Sequence, residues 1–206
     1  MADLKSHWEQ VYGTKQAHEV SWTQDIPQTS LDFIHSLKLP KDVSIIDIGG
    51  GDSKLVDYLL REGYTDITVL DISETAIERA KARLGSDAGK VHWIVSDILT
   101  FQPERSYDLW HDRAAFHFLT EQSEVDTYLN TLHSAAKKRM IIGTFSDHGP
   151  LKCSMLEVHR YSGLELAHTL ERDFEKIECI NTDHITPFQT VQNFTFCSFR
   201  RRNQAA

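Results

Sequence analysis

Three carboxylates at the ends of three apolar runs carry the most informative chemistry of this 206-residue sequence. Asp47 closes the run Val43, Ile45, Ile46 and stands two residues before Gly49, Gly50 and Gly51. Asp71 follows Ile67, Val69 and Leu70, and Asp97 follows Val91–Val95 in Ser96-Asp97-Ile98. An acidic residue roughly 20 positions beyond a glycine turn is placed to bind ribose hydroxyls, which gives Asp71 that role. At the third strand end Asp97 is placed to accept from an adenine amino group. Asp47 decides between ligands. At ~4 Å and an effective dielectric of ~20, its charge is worth about 4 kcal/mol against an anion or toward a cation. A dinucleotide site would set a pyrophosphate here and a third glycine at position 54, where this chain has Lys54. An adenosyl ligand with cationic groups and no phosphate fits the set. S-adenosylmethionine, with an ammonium and a sulfonium, is such a ligand.

The elements that must hold these groups follow from apolar spacing. Val43 to Ile48 reads as a buried strand, the three glycines as a tight turn, and Leu55, Val56, Leu59 and Leu60 as a helix starting near Asp52. Strand, glycine turn and helix N-terminus make a nucleotide-binding βα unit. Gly49 and Gly51 let the backbone approach a ligand with no side chain in the way. Residues 67–71 and 91–95 are the next strands, Tyr107, Leu109 and Trp110 a fourth, and Met140 to Phe145 a fifth. Phe174 to Ile180 and Val191 to Phe199 are two alternating terminal strands joined by a hairpin-like segment that holds His184 and Pro187. Helices are expected over residues 3–12, 27–37, 121–136 and 162–170, with Lys137-Lys138-Arg139 at the C-terminus of the third of these, where cations suit the helix dipole.

D-I-G-G-G-D-S, V-L-D-I-S and S-D-I-L resemble the successive cofactor motifs of class I S-adenosylmethionine-dependent methyltransferases, over a span from about Asp3 to Arg202. One departure is Ser53, where many members have a third glycine. The resemblance implies an α/β, Rossmann-like, doubly wound sheet of seven mostly parallel strands with an antiparallel last strand and helices on both faces. It implies a cofactor-binding set of Trp22, Asp47, Gly49, Gly50, Gly51, Asp71, Ile72, Asp97, Ile98 and His111. In this family an H-W-x-x-x-Y … E-x-S-W element, here His7 to Tyr12 and Glu19 to Trp22, lies near the methionine end of the cofactor. Residues 1–40 then form an arm or lid, 41–145 the cofactor-binding core, and 146–206 the substrate side. The plainer reading of the arm is a segment pinned by burial of Trp8 and Trp22; the functional one is a lid that excludes water. Many members carry Pro-Gly before the fifth strand; Lys137-Lys138 stand there, so a longer helix is expected.

His111-Asp112-Arg113 falls at the end of the fourth strand, beside the crevice where open α/β sheets bind ligands. The strand followed by D-R-A is similar to the D-R-G or D-K-G turn of thiopurine methyltransferases and of some elongation-factor lysine methyltransferases. That likeness makes Asp112 a contact to cofactor or nucleophile. If the following segment is helical, Arg113 and His117 share a face. A histidine titrating near neutrality suits an amine, hydroxyl or thiol acceptor, so His117, supported by Asp112 and Arg113, is expected to orient or deprotonate the acceptor. The structural alternative is an Asp112–Arg113 ion pair with His117 capping a turn. His148, Cys153 and His184 are the candidate substrate-side residues. His148, Cys153 and His159 are irregularly spaced and lack a fourth metal ligand, so no metal is expected.

Size and 40% hydrophobic content fit one α/β domain. No 18-residue apolar run or N-terminal signal segment is present, which argues against a membrane span or export. Cys153, Cys179 and Cys197 are odd in number and lack C-x-x-C spacing, which favours a reducing cytoplasm over a disulfide framework. A net charge of −8 argues against a large nucleic-acid footprint; Arg200-Arg201-Arg202 reads as a solvated strand end. The expectation is therefore methyl transfer to a small-molecule thiol, amine or carboxylate. A protein lysine is the alternative acceptor, a non-catalytic cofactor-binding regulator comes third, and an NAD-linked dehydrogenase is more distant still.

Overall fold

The apolar runs pair as strands over residues 4–202, which the computed structural model describes. In chain order they are β1 (Ser44–Ile48), β2 (Asp66–Asp71), β3 (Val91–Val95), β4 (Tyr107–Arg113), β5 (Ala136–Phe145), the short β6 (Lys152–Cys153) and β7 (Leu156–Glu157), β8 (Phe174–Ile185) and β9 (Val191–Arg201). The main sheet has seven strands in the order β3-β2-β1-β4-β5-β9-β8. The first five are parallel, and β9 runs antiparallel to both β5 and β8. The helices are α1 (Leu4–Thr14), α2 (Gln28–Ser36), α3 (Leu55–Arg61), α4 (Glu74–Leu84), α5 (Gln122–Ala135) and α6 (Gly163–Leu170). Ser73 and Ser162 start α4 and α6 by accepting from the N–H of Ala76 and of Glu165, each at 3.1 Å, as N-caps should. Asp3, the expected first residue of the N-terminal helix, lies outside the described residues.

Strand parity sorts the core into two layers. Side chains alternate faces along a strand, so Ile46, Ile48, Trp110, Met140 and Ile142 pack with Tyr128, Leu132 and Leu166 of α5 and α6. Ile45, Leu109 and Ile141 pack on the other face with Leu31 and Ile34 of α2 and Val56 and Leu59 of α3. Asp47 and His111 fall on this second face as register partners of β1 and β4. Asp112 falls on the first face with Trp110. That single step of parity puts Asp112 on the opposite face of the sheet from Asp47 and His111.

Three expectations are corrected. The helix before the fifth strand is not longer. It stops at Ala135, and Ala136 already pairs with Tyr107. Ladder pairing with β4 claims Arg139 (opposite Leu109), and Lys138 reaches Asp108 at 3.0 Å, so the basic run serves a strand and not a helix end. Cys179 and Cys197, expected as free thiols, are register partners of β8 and β9 and are disulfide-bonded, with Cα atoms 4.1 Å apart. Their 18-residue separation spans a hairpin whose register the spacing alone does not reveal. The basic C-terminal run is not merely solvated: Arg200 pairs with Glu175, and Arg201 and Arg202 donate to the carbonyls of Ala136 and Glu171. Beyond this, the segment after β5 folds into the β6–β7 hairpin, with Ser154 and Met155 at positive φ. No helix of the described residues is long and apolar enough to cross a membrane.

Candidate active site

A cavity of about 490 Å³ opens at the carboxyl ends of the parallel strands, the place where such sheets bind ligands. The turn after β1 forms its floor. Gly49 has φ +64° and Gly51 φ +32°, a region that L-residues adopt only with strain. Space is equally short. A Cβ at Gly50 would meet Asp47 Oδ2 at 2.6 Å, and one at Gly51 would meet Asp71 Oδ2 at 2.5 Å. The glycines let the turn close down between two carboxylates.

Asp47, buried in this floor, meets His111 Nδ1 through Oδ1 at 2.6 Å, and His111 Nε2 meets Ser30 Oγ at 2.9 Å. Both ring nitrogens are thus engaged, and the carboxylate is fixed facing the turn. Asp71 accepts from the N–H of Ser73 at 2.8 Å. Burial, with the Asp47 charge behind it, raises Asp71 to about 7. Ile72, Ser96, Asp97 and Ile98 continue the wall, and the Asp97 carboxylate accepts from the N–H of Leu99 at 2.9 Å. Arg83 braces the exit of the turn, donating to Asp57 and Asp52 and to the carbonyl of Ser53.

The N-terminal arm covers the other side. Trp8, Tyr12 and Trp22 line the cavity and pack edge to face, with Trp8 and Trp22 centroids 5.6 Å apart. Glu9 anchors the arm. Its carboxylate accepts from the N–H of Glu74 at 2.6 Å and of Thr75 at 3.3 Å in the first turn of α4, where the helix dipole favours an anion. His184 ties the far end of the arm, meeting the carbonyl of Ser21 at 2.6 Å. Burial and the Arg113 charge hold that imidazole below its usual range.

Of the expected cofactor residues, Trp22, Asp47, Gly49, Gly50, Asp71, Ile72, Asp97, Ile98 and His111 border the cavity, and Gly51 shapes the turn behind them. Arg113 and Cys153 border it too. Burial lowers Arg113 to about 10 and raises the Cys153 thiol to about 11. The other expectations are revised. Asp112 points into the opposite layer, where Oδ1 accepts from Ala115 and Phe116 N–H and Oδ2 from the Tyr128 hydroxyl at 2.8 Å. It is a turn-holding group and does not border the cavity. His117 is fully buried between Phe118 and Phe145, and its Nδ1 accepts from the Phe145 N–H at 3.2 Å. Burial and Arg113 push it down to about 3. It lies on a 3₁₀ turn, so the helical spacing to Arg113 does not apply. An Asp112–Arg113 ion pair is not formed either, since the two side chains leave β4 on opposite faces. His148 is exposed, and His159 pairs with Glu165 at 2.8 Å; among the described residues neither joins Cys153 in a metal-binding group. Glu19, weighed with Trp22 as a lining residue, is exposed and closes a cap on the N–H of Gln16. His184 faces the arm and neither solvent nor the cavity. Ala114 of the D-R-A turn has φ +66°, the left-handed region that glycine adopts most readily.

Sequence reasoning missed Ser30 and Glu9 as site-builders, while Tyr12 lines the cavity as the N-terminal aromatic element implied. Ser30 had a signal, being polar on the apolar side of α2. Glu9 had none, because its partners lie 65 residues away.

The residues fit an adenosyl ligand bearing cationic groups: a glycine turn too tight for any side chain, three carboxylates at successive strand ends, and an aromatic cover. This is the fold of the class I S-adenosylmethionine-dependent methyltransferases, and the site resembles theirs. A family model described as a methyltransferase domain matches residues 45–139. Among curated relatives, malonyl-[acyl-carrier protein] O-methyltransferase 1 of Ilyobacter polytropus is 32% identical over 101 residues, covering 48% of this chain and 37% of that protein. The chain spans a similar 39% of the Anoxybacillus flavithermus malonyl-[acyl-carrier protein] O-methyltransferase. Human EEF1A lysine methyltransferase 2 is 21% identical over 189 residues, 86% of this chain and 77% of that one. The solved structure of Burkholderia thailandensis 1,6-didemethyltoxoflavin-N1-methyltransferase, with S-adenosylhomocysteine bound, shares the fold. Its TM-score is 0.72 at 18% identity, covering 97% of this chain and 88% of that one.

Proposed function

We propose that this chain transfers a methyl group to a small-molecule acceptor held beneath the N-terminal arm. When bound, S-adenosylmethionine supplies an electrophilic methyl on a sulfonium. The protein's own part is binding, alignment and exclusion of water. Asp71 accepts from ribose hydroxyls, Asp97 and Ile98 border the adenine end, and the Asp47–His111 pair faces the amino-acid end. Trp8, Tyr12 and Trp22 keep water from the reacting centre. At the Arg113 end no described group stands ready to take a proton. His111 is engaged at both nitrogens, Cys153 is a neutral thiol, and burial beside Asp71 holds the Tyr12 hydroxyl far above its usual range. That supports an acceptor whose nucleophilic atom arrives already deprotonated.

The observation that carries the choice of acceptor is the Arg113 guanidinium on the cavity wall. A lysine ammonium ~4 Å from it would meet about 4 kcal/mol of repulsion at an effective dielectric of ~20. The length of the match to the human elongation-factor enzyme, 86% of this chain, favours protein lysine as the second reading. Transfer of radiolabelled methyl from S-adenosylmethionine decides between them. Label is expected in a pool of small carboxylic acids, thiols and amines. Label in purified elongation factor 1A, with none in the small-molecule pool, would overturn the first reading.

A further inference from the structure

We propose that Arg113 recognises a carboxylate on the acceptor, which makes the acceptor a small carboxylic acid; this deepens the small-molecule reading above and rests on it. The side chain stands where the arm, the hairpin after β5 and strand β9 meet. Its Nη1 donates to the carbonyl of Trp22 at 3.1 Å, and its Cζ lies 5.1 Å from the centroid of the Phe194 ring. Nη2 is buried with no acceptor, and no carboxylate among the described residues pairs with the guanidinium.

The nearest acids are committed elsewhere. Asp47 is held by His111, and Asp112 faces the other side of the sheet with three donors of its own. The polar neighbours carry no compensating charge: His117 and His184 are held in the neutral form by burial and by Arg113 itself, and Cys153 is a thiol. A buried guanidinium without a counter-ion is a costly arrangement that an incoming anion relieves. The planar fork of arginine suits a carboxylate through paired N–H donors. The neighbourhood points to the acceptor, because Arg113 touches the arm and β9, while the cofactor-binding carboxylates occupy the β1–β3 side. The cofactor also has a carboxylate, and the experiment separates the two sources.

The wild type, Arg113→Gln and Arg113→Lys are loaded with S-adenosylhomocysteine and titrated calorimetrically with malonate and benzoate, and with malonamide and benzamide. At least one acid is expected to bind the wild type about tenfold or more tightly than its amide. Arg113→Gln should lose that preference, and Arg113→Lys should keep part of it. Affinity for S-adenosylhomocysteine should change by less than about threefold in both variants. Acids that bind the wild type no better than their amides overturn the proposal. So does an Arg113→Gln variant that loses affinity for S-adenosylhomocysteine by about tenfold while keeping the acid preference, which assigns the guanidinium to the cofactor's carboxylate. Should Arg113→Gln fail to fold, Arg113→Met carries the same comparison. A wild type that does not bind S-adenosylhomocysteine is a different result: it overturns the cofactor assignment, and the proposal with it.

Discussion

With Asp71 on the cofactor ribose, as proposed, cofactor affinity should depend on pH in a calculable way. Its carboxyl is raised from an ordinary 3.8 to about 7, first by burial and then by the Asp47 charge. Only the ionised form accepts hydrogen bonds from both hydroxyls of a ribose. With a value near 7 in the cofactor-free protein, the apparent Kd should carry a factor of one plus ten to the power of 7 minus the pH. That factor is about 1.1 at pH 8, about 11 at pH 6 and about 100 at pH 5. By linkage, binding should expel about 0.9 proton at pH 6 and about 0.1 at pH 8. Calorimetry with S-adenosylhomocysteine in buffers of different ionisation heat reads both quantities. Asp71→Asn removes the charge. A hydrogen bond to a charged group contributes about 1.5–3 kcal/mol, so affinity at pH 8 should fall by about 10- to 150-fold. The variant's affinity should be flat from pH 5 to 8, closing the gap to the wild type as pH falls. A wild-type affinity that does not change across this range refutes the reasoning, as does an Asp71→Asn variant that keeps the slope.

Three further outcomes test the roles assigned to neighbouring residues. Asp112 is raised to about 6 by burial, so the protonated side chain favours the folded state; its stabilising contribution is complete below about pH 4 and lost as pH rises through 6. Chemical denaturation should therefore show the wild type losing about 2.4 kcal/mol relative to Asp112→Asn between pH 4 and pH 7, and a constant gap would refute that. His117→Ala leaves the Phe145 N–H unpaired and opens a void; thermal unfolding should report a loss of about 2–4 kcal/mol, while affinity for S-adenosylhomocysteine stays unchanged. A stable variant with lost turnover would return His117 to the chemistry. Ala114→Gly relieves a left-handed residue at φ +66° and should stabilise the protein by about 0.5–1 kcal/mol, after the extra freedom of glycine in the unfolded chain is counted; a lower Tm contradicts the strain argument.

The residues that border the cavity on its proposed cofactor side were legible in the sequence, and those on the proposed acceptor side were not. Each cofactor group sits within a residue or two of the end of its own apolar run. Strand, turn and carboxylate are local, and the parallel order that brings Asp47, Asp71 and Asp97 side by side follows from successive βα units. The charge of Asp47 and the lysine at position 54 were enough to separate an adenosyl cation from a pyrophosphate. Around Arg113 the side chains come from distant segments: the arm, the β6–β7 hairpin and β9. Whether one of them reaches the cavity depends on strand parity and register. Asp112 and Arg113 are adjacent in sequence, yet they leave β4 on opposite faces, one to Tyr128 and one to the cavity. His117 looked like a base by spacing, but the 3₁₀ turn after β4 drives it between two phenylalanine rings, out of the cavity. The partnership of Cys179 with Cys197 likewise needed the register of a long hairpin. Residue types fixed which chemistry was available; only the packing of the two sheet faces decided which groups could meet.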